Sequence, residues 1–304
     1  MTELWCYLFM LPSLVLATLF TFWPIVASWY YSLLDWSGFT QDKTFVGLGN
    51  YVELFHDPFF WGAFGRSFLF MVVTVPVRLG LALAVAIVLN DQRLRLAPVF
   101  RTLLFIPVVT TTAIMGILMT FLLSPVNGPF NQILLALHLI SSPISFLGAP
   151  ETALWSVMGV SVWKYFGISL VYWLAALQAI PTEMYEAARV DGATRWQVHR
   201  YITAPLLVPF ATVIVLITAV NTMRIFDLVE TLTGGGPYFA TEVMEVYIYR
   251  TAFSVLGGGM PRLGYASAAG VLFGICVMII ALGQGWVARQ FGAGRHGISS
   301  GMGH

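Results

Sequence analysis

Residues 177–209, LQAIPTEMYEAARVDGATRWQVHRYITAPLLVP, form a polar stretch with strong helix signals between two long apolar segments. Pro181 and Thr182 suit the start of a helix, because a proline and a capping hydroxyl group are both tolerated there. Glu183 and Glu186 follow in the early turns, where carboxylates interact favourably with the helix dipole. The stretch therefore predicts a helix that begins at about residue 181.

The same stretch predicts a second helix after a sharp turn. Gly192 ends the first helix, since glycine interrupts helices and adopts the backbone conformations of turns. Thr194 can start a second short helix that runs through Tyr201, and Pro205 marks the entry into the next apolar segment. Two short helices joined at Asp191 and Gly192 would form a compact knob on one face of a helical bundle.

The composition of the first helix allows two interpretations of this knob. Its small or apolar residues are Met184, Tyr185, Ala187 and Ala188, and its charged residues include Glu186, Arg189 and Asp191. Such a surface suits docking into a groove of a partner protein. It suits equally well an amphipathic helix that lies at the lipid interface, and the pattern alone leaves both interpretations open.

The apolar segments around this stretch indicate a membrane protein. The chain has 304 residues, of which 58% are apolar and 10% charged, whereas globular proteins have about 25% charged residues. Six segments reach the length of about 20 residues that a transmembrane helix needs. They cover approximately residues 8–34, 67–89, 102–123, 152–175, 206–227 and 265–287. We expect one all-α integral membrane domain over residues 1–304, with residues 177–205 as a loop within it.

Basic residues predict the orientation of the spans, because short loops rich in lysine and arginine stay in the cytoplasm. The segments after spans two and four and the C-terminal tail contain Arg93, Arg95, Arg101, Arg189, Arg195, Arg200, Arg289 and Arg295. The loops on the opposite side contain only Lys43, Arg66, Arg250 and Arg262. Both termini and the 177–205 loop are therefore predicted to be cytoplasmic.

Several functions are excluded by what the sequence lacks. A net charge of +1 offers no binding surface for nucleic acid. Cys6 and Cys276 lie in apolar segments and indicate no disulfide framework. No lysine follows the glycine clusters at 234–236 and 257–259, so the chain has no phosphate-binding loop and any energy from ATP must come through another polypeptide. No histidine lies in a span beside a Ser, Asp or Glu array, which argues against an enzyme.

Ionisable side chains inside spans are candidates for a transport pathway, because inserting each one costs at least roughly 2.5 kcal/mol. The predicted spans contain Arg78, Lys164, Arg224 and Asp227. Arg224 and Asp227 are three residues apart, so one helix face would bring them together, either as a structural ion pair or in the pathway. Lys164 can line a cavity or bind a buried carboxylate or carbonyl group, and Arg78 can line the cavity or bridge to a second subunit.

Aromatic residues beside Lys164 add to this candidate pathway. Trp163 and Tyr165 flank Lys164, and aromatic rings of this kind can stack on sugars or simply pack in the membrane. Intramembrane cations suit a solute that carries hydroxyl groups or phosphate oxygens, since cations donate several hydrogen bonds. The intramembrane cations therefore fit a hydroxylated or phosphorylated solute.

A glycine-rich loop follows the fifth span at residues 232–242, LTGGGPYFATE. On the predicted topology this loop faces outward. Gly234, Gly235, Gly236 and Pro237 can let the backbone approach a docked external protein or the cavity, or they can simply form a turn.

The 177–209 stretch also resembles a known motif. EAARVDG, followed nine residues later by Ile202 and then Pro205, is similar to the EAA loop of binding-protein-dependent ABC importer permeases, EAA-x₃-G-x₉-I-x-L-P. The residues that match in register are Glu186, Ala187, Ala188, Gly192, Ile202 and Pro205. Ala204 stands where leucine is usual, which loosens one contact. We call residues 177–205 the EAA segment.

Further stretches resemble the carbohydrate class of this family, the maltose and glycerol-3-phosphate permease type. They are FVGLGNY at 45–51, FRTLLFIPVV at 100–109, WKYFGISLVYWLAALQAIP at 163–181, IFDLVETLTGGGP at 225–237, TEVMEVYIYRTAF at 241–253 and LGYASAAGVLF at 263–273. Their order along the chain extends the resemblance over nearly its whole length.

The resemblance implies the type I ABC importer permease fold with six transmembrane helices and a cytoplasmic coupling helix. It implies a bacterial inner-membrane importer with a second permease subunit that is a different chain, a pair of ATPase subunits that bind ATP and Mg²⁺, and an extracytoplasmic solute-binding protein. In such a machine the EAA segment contacts the ATPase, here through Glu183, Tyr185, Glu186, Ala187, Ala188, Arg189, Asp191, Gly192, Ile202 and Pro205.

The implied cargo is a sugar or oligosaccharide, and the same machinery could import glycerol-3-phosphate or a glycerophosphodiester. A secondary transporter or a channel is a further alternative. It is disfavoured, because no internal repeat and only one intramembrane carboxylate are found.

Overall fold

The computed structural model of the chain describes residues 2–91, 94–253 and 259–293. Its helices are α1 Thr2–Ala17, α2 Trp23–Tyr31, α3 Gly49–His56, α4 Pro58–Leu89, α5 Ala97–Val109, α6 Thr112–Leu122, α7 Pro129–Ala136, α8 Pro150–Gln178, α9 Thr182–Val190, α10 Arg195–Val198, α11 Ala204–Thr222, α12 Phe226–Leu232, α13 Met244–Phe253 and α14 Leu263–Ala293. Strands β1 Leu34–Asp35 and β2 Thr44–Phe45 form a small antiparallel hairpin. Arg93, Arg295, Gly257 and Gly258, which the sequence analysis uses, lie outside the described residues. The predicted all-α fold class is confirmed.

Within the described ranges, five helices are long and apolar enough to cross a membrane, or six if one bent pair counts as a single span. They are Phe9–Tyr31, Pro58–Leu89, Pro150–Gln178, Arg195–Thr222 and Leu263–Gly283, with Ala97–Val109 and Thr112–Leu122 as the bent pair. Helices are expected here because lipid cannot hydrogen-bond to the backbone, so each segment must satisfy its own amides and carbonyls. The six predicted spans correspond to these elements, with two differences of shape.

Span three is a broken helix, whereas the sequence predicts one continuous span over 102–123. Helices α5 and α6 are bent by 98° at a break where Thr110 and Thr111 adopt extended backbone conformations. The local sequence PVVTTT at 107–112 explains the break, since proline lacks an amide hydrogen and β-branched residues are stiff in a helix. Hydropathy does not detect this, because every residue of the break is compatible with an apolar environment.

Span five ends earlier than predicted. Helix α11 ends at Thr222, and Met223 to Ile225 form a turn before the separate short helix α12. The prediction of one span over 206–227 therefore joined two helices. The turn leaves Arg224 outside any helix, while Asp227 lies in the first turn of α12.

The chain divides into two compact units. The first comprises Met1–Gly65 and Met244–Cys276. In this unit the buried amide of Asn50 donates hydrogen bonds to the carbonyls of Ser32 (2.8 Å) and Leu34 (2.9 Å), which ties α3 to the hairpin. A side chain at Gly264 would clash with the carbonyl oxygen of Leu34, so glycine permits the start of α14 to lie against the same hairpin.

The second unit comprises Arg66–Val243 and Val277–His304. Its apolar core lies among α4, α8 and α11 and includes Val75, Leu79, Ala82, Ala86, Leu170, Trp173, Leu174, Leu177, Leu207, Ile214 and Ala219. The indole of Trp173 also donates a hydrogen bond to the carbonyl of Leu79 at 3.0 Å. This core supports both the EAA segment and the intramembrane cations.

Candidate functional site

The first helix of the EAA segment forms where the sequence predicts it. Helix α9 starts at Thr182, directly after Pro181, whose backbone is extended. Glu183 lies in the first turn and Arg189 in the last, so both charges complement the helix dipole. The predicted helix over 181–190 is therefore present.

The predicted turn at Gly192 is a hydrogen-bonded helix end. Gly192 has a φ of +73°, a left-handed conformation that side chains other than glycine adopt at a cost. Its amide donates to the carbonyl of Arg189 (3.1 Å), and the amide of Ala193 donates to the carbonyl of Ala188 (2.9 Å). These two bonds form a Schellman motif, which satisfies carbonyls that the end of a helix leaves free.

The second half of the EAA segment differs from the predicted short helix. Thr194 starts α10 with a capping box, in which its hydroxyl oxygen accepts from the amide of Gln197 and the side chain of Gln197 accepts from the amide of Thr194. The chain then continues through a π-helical turn, His199–Thr203, directly into span five. Pro205 lacks the amide that would bond one turn back, which favours the wider π turn. The predicted helix through Tyr201 therefore does not end before span five.

One face of the EAA segment packs on the helical bundle. Ala188 is buried, and Ile180 and Tyr185 pack into or against the apolar core of the second unit. The hydroxyl groups of Tyr185 and Thr203 lie 3.4 Å apart, which links α9 to the π turn. Displacement of α9 would therefore be transmitted to the helices that carry this core.

The opposite face of the EAA segment is exposed and mixes charged and apolar side chains. Glu183, Glu186, Ala187, Arg189, Asp191 and Gly192 are exposed, and Ile202 is half-buried. Three large apolar residues, Val190, Trp196 and Tyr201, expose 87%, 75% and 74% of their surfaces. Exposed apolar residues of this kind within a charged surface are typical of protein interfaces. Val190 and Trp196 were not predicted as contact residues. A tryptophan in a polar loop could have indicated an interface, because tryptophan is enriched there.

Two of the intramembrane cations meet at one aromatic ring. The guanidinium carbon of Arg78 lies 5.8 Å and the ammonium nitrogen of Lys164 lies 5.4 Å from the ring centre of Tyr165. Arg78 is 5% exposed and donates a hydrogen bond to the hydroxyl of Thr222 at 3.0 Å. Its Nε has no hydrogen-bond partner within the described part of the chain. The structure thus brings Arg78, Lys164 and Tyr165 together.

Lys164, a residue of α8 in span four, lies beside the break in span three. Its side chain is 2% exposed, and its ammonium group donates to the carbonyls of Thr110 (2.7 Å) and Pro107 (3.4 Å). Of the three roles that the sequence allows for Lys164, namely binding a carbonyl, binding a carboxylate or lining a cavity, the structure shows carbonyl oxygens as the partners. Trp163 is 45% exposed, because consecutive residues of a helix point in different directions.

Arg224 and Asp227 are not brought together on one helix face. Both side chains are exposed, and neither makes a hydrogen bond or ion pair with any residue that the structure describes. The predicted pairing assumed a continuous helix, and the turn at Met223 to Ile225 removes that geometry.

The glycine-rich loop is compact and internally hydrogen-bonded. Gly234 and Gly235 have φ values of +56° and +84°, so both use the left-handed conformation that glycine adopts readily. The hydroxyl of Thr241 donates to the carbonyl of Gly236 at 2.7 Å and lies 2.6 Å from the hydroxyl of Thr233. Pro237 is half-buried, whereas Tyr238 next to it exposes 91% of its surface. The loop therefore presents a fixed turn with an aromatic tip.

An ion pair between the half-buried Arg66 and the buried Glu242 anchors this loop. Glu242 is fully buried, and the Nε of Arg66 in α4 donates to its backbone carbonyl at 2.8 Å. The two side chains also form a salt bridge of 3.9 Å. No local sequence pattern indicates this pair, because 176 residues separate its members.

A second polar cluster, in the first unit, was also missed. The hydroxyl groups of Tyr247 and Tyr265 donate to Asp57 at 2.5 and 2.8 Å, and the amide of Phe59 donates to it at 2.8 Å. Burial raises the pKa of Asp57, but these hydrogen bonds outweigh it and lower the pKa below its usual range. Its residues come from three distant stretches of sequence, so no local pattern indicates the cluster.

An ion pair borders this cluster. Arg262 binds Glu53 through two hydrogen bonds of 2.6 and 2.7 Å, which hold the pKa of Glu53 below its usual range. A polar cavity of about 430 Å³ is lined by Glu53, His56, Asp57, Phe59, Tyr247, Arg250, Thr251, Arg262 and Tyr265. Within residues 2–91, 94–253 and 259–293, no three His, Cys, Asp or Glu side chains gather as metal ligands would.

Known proteins resemble this chain over most of its length. The family described as "Binding-protein-dependent transport system inner membrane component" matches residues 77–292. The probable ABC transporter permease protein YurN of Bacillus subtilis is 38% identical over 279 residues, which cover 91% of this chain and 94% of YurN. The lactose transport system permease protein LacF of Rhizobium radiobacter is 33% identical over 286 residues, which cover 93% and 94% of the two chains.

A solved structure is similar as well. It is the crystal structure of a bacterial ABC transporter involved in the import of the acidic polysaccharide alginate, and one of its chains is 25% identical to this one. The TM-score is 0.79, and the match covers 95% of this chain and 96% of the other. The chain therefore shares its fold with a chain of a bacterial ABC transporter.

Proposed function

Because this chain belongs to the family of binding-protein-dependent transport system inner membrane components, we propose that it forms half of the pathway of an importer for a sugar or an oligosaccharide. As a member of this family it is a multi-pass membrane protein and a permease subunit of an ABC importer. The single observation that supports its specific role best is the EAA segment, whose inner face is fixed to the bundle while its outer face is exposed. The chain itself is not an enzyme in this proposal.

The proposed role of the EAA segment is to receive force from an ATPase subunit. The exposed residues Glu186, Arg189 and Asp191 supply charges for a cleft in the ATPase, and Val190 and Trp196 supply apolar contacts. Tyr185 and Ala188 face the bundle and pass displacement on to it. ATP and Mg²⁺ bind to the ATPase pair, and closure of that pair shifts the permease between its two access states.

The proposed solute pathway includes the cations of the second unit. Arg78 and Tyr165 offer a buried guanidinium group and an aromatic ring, which suit hydroxylated solutes. Trp163, Arg224 and Asp227 remain candidates that are exposed on the isolated chain and available to a partner or to solute. The lactose and alginate transporters among the similar proteins favour a saccharide, and a polyol phosphate is the second candidate because the guanidinium group of Arg78 also suits phosphate.

The remaining partners follow from the family. A second permease chain completes the pathway, and an extracytoplasmic binding protein delivers solute. Tyr238 and the turn formed by Gly234, Gly235, Gly236 and Pro237 are proposed to contact that protein or to reach the cavity. The distribution of basic residues supports the proposal that both termini are cytoplasmic. The family supports the proposal that the spans lie in the inner membrane of a bacterium.

The charge reversal Glu186→Lys tests the proposed coupling. We expect the complex to insert normally but to lose ATP-driven uptake and to bind the ATPase subunit more weakly, because a positive charge replaces the carboxylate at the contact. Uptake of radiolabelled lactose, maltose and glycerol-3-phosphate is measured in proteoliposomes that hold the whole importer, with ATP hydrolysis as the second readout.

Asp42→Lys provides the matched control, since Asp42 is also an exposed acidic residue but lies outside the EAA segment. This control should transport as the wild type does. Normal solute-stimulated ATP hydrolysis and uptake in Glu186→Lys would rule out the assignment.

A further inference from the structure

The break in span three leaves backbone carbonyl groups without helical partners, and the buried side chain of Lys164 binds them. A helix end leaves carbonyl groups without intrahelical partners, and lipid offers no replacement. The ammonium group of Lys164 in α8 donates to two carbonyls at the end of α5, those of Thr110 and Pro107. A cation at this position also interacts favourably with the negative end of the helix dipole. The charge of Lys164 is therefore engaged by the helix end.

A glycine one turn further along α8 brings the same two helices into close contact. A Cβ atom on Gly167 would lie 2.5 Å from the carbonyl oxygen of Leu104 and 2.9 Å from the Cα of Phe105, both in α5. Any larger residue would have to push the two backbones apart. Lys164 and Gly167 together fasten the first half of span three to span four.

The second half of span three is fastened to a different helix. A Cβ atom on Gly116 in α6 would clash with the side chain of Thr231 in α12. These two helices therefore also pack more closely than a residue larger than glycine would allow. Helix α8 ends at Gln178, within the EAA segment, whereas α12 ends at Leu232, where the glycine-rich loop begins. Each half of span three therefore follows a helix that leads to a different functional segment.

We infer that Lys164 is a positioning residue that locks α5 to α8, so that the break at Thr110 and Thr111 acts as the hinge of the transport cycle. This inference rests on the proposed function, since it assumes an importer that alternates between two access states. Movement of the EAA segment is carried by α8 to α5, while α6 stays with α12 and the glycine-rich loop. The bend between α5 and α6 changes as the access state changes.

Lys164→Met tests this role, because methionine keeps the apolar stem and removes the donors. Lys164→Arg retains charge and donors and should restore most of the function. In reconstituted importer, Lys164→Met should lower the maximal rate of uptake by roughly tenfold, the size expected for a lost charged hydrogen bond. The KM for solute should stay unchanged, because the solute does not contact the ammonium group.

Distances between spin labels report directly on how the helices pack, and loss of a solute contact alone would not change them. In a background that carries Cys6→Ser and Cys276→Ser, labels at Leu103 in α5, Ile117 in α6 and Val171 in α8 occupy exposed positions. On trapping with ATP and vanadate, the Ile117 to Val171 distance should change while the Leu103 to Val171 distance stays constant. Lys164→Met should broaden the Leu103 to Val171 distribution.

Three further substitutions in α8 complete the test. Two of them are controls that should behave as the wild type, and one should reproduce the defect. Ser161 is buried and its hydroxyl has no hydrogen-bond partner among the described residues, so Ser161→Ala should behave as the wild type. Gly167→Ala should reproduce the defect of Lys164→Met, whereas Gly159→Ala should not, because no atom lies within 4 Å of a Cβ at Gly159.

Three results would overturn the inference. They are a narrow Leu103 to Val171 distribution in Lys164→Met, a raised KM with unchanged distances, and equal defects in Lys164→Met and Ser161→Ala. A different result would contradict the proposed function itself: the wild-type complex would take up none of the three solutes when ATP is supplied. In that case the width of the Leu103 to Val171 distribution still decides whether Lys164 holds the two helices together.

Discussion

Lys164 shows how far single residues can be interpreted from sequence in this protein. An ionisable residue in an apolar span can be recognised from sequence, because its insertion into the membrane costs free energy. Its partners cannot be recognised in this way, since the carbonyls of Pro107 and Thr110 become free only through a break elsewhere in the chain. The pairs Arg66 with Glu242 and Asp57 with Tyr247 were missed because their members lie far apart in the sequence.

Tyr265→Phe is expected to destabilise the first unit by about 1 kcal/mol, because it removes one hydrogen bond to the half-buried carboxylate of Asp57. The pKa of Asp57 should rise, since this hydrogen bond helps to lower it. Thermal unfolding of the purified protein in detergent measures the change.

Tyr238→Phe is the control for this substitution, because Tyr238 is 91% exposed and its hydroxyl makes no hydrogen bond within the described residues. An unfolding temperature of Tyr265→Phe equal to that of Tyr238→Phe would contradict a stabilising role for the cluster at Asp57.

Among the secondary-structure elements, those with strong local signals were predicted well. Proline, acidic residues in the first turn and glycine after the last turn define α9, and these interactions act within a few residues. Span three was predicted as continuous because hydropathy does not distinguish the break at Thr110 and Thr111 from helix. The turn after Thr222 was missed for the same reason, and with it the true environment of Arg224.

Gly192→Ala should weaken the end of α9, since a residue with a side chain pays about 1–2 kcal/mol in the left-handed conformation. We expect roughly tenfold weaker binding of the ATPase subunit, measured by titration of the purified permease. Gly192→Asn should retain more affinity, because asparagine tolerates this conformation better.

Gly159→Ala is the matched control, since Gly159 lies inside α8 with open space around it. Equal ATPase affinity in Gly192→Ala and Gly159→Ala would show that the Schellman end of α9 does not contribute to the contact.

Over the whole molecule, composition and the order of motifs predicted the membrane class, the family and the six-span design. They did not predict the two compact units, because those depend on contacts between distant segments, such as the hairpin and the start of α14 in the first unit. Span one has no buried residue in its most apolar window, which leaves its entire surface for lipid or for another subunit. The isolated chain is therefore one part of a larger assembly in this account.

The most direct measurement of the central claim is accumulation of radiolabelled lactose and maltose in vesicles that contain the permease pair, with and without the ATPase subunits. The binding protein and ATP are supplied in both cases. We expect uptake against a gradient only when the ATPase is present, because the sequence contains no phosphate-binding loop and the chain is proposed to receive its energy through the EAA segment. Equal accumulation without the ATPase would contradict this account.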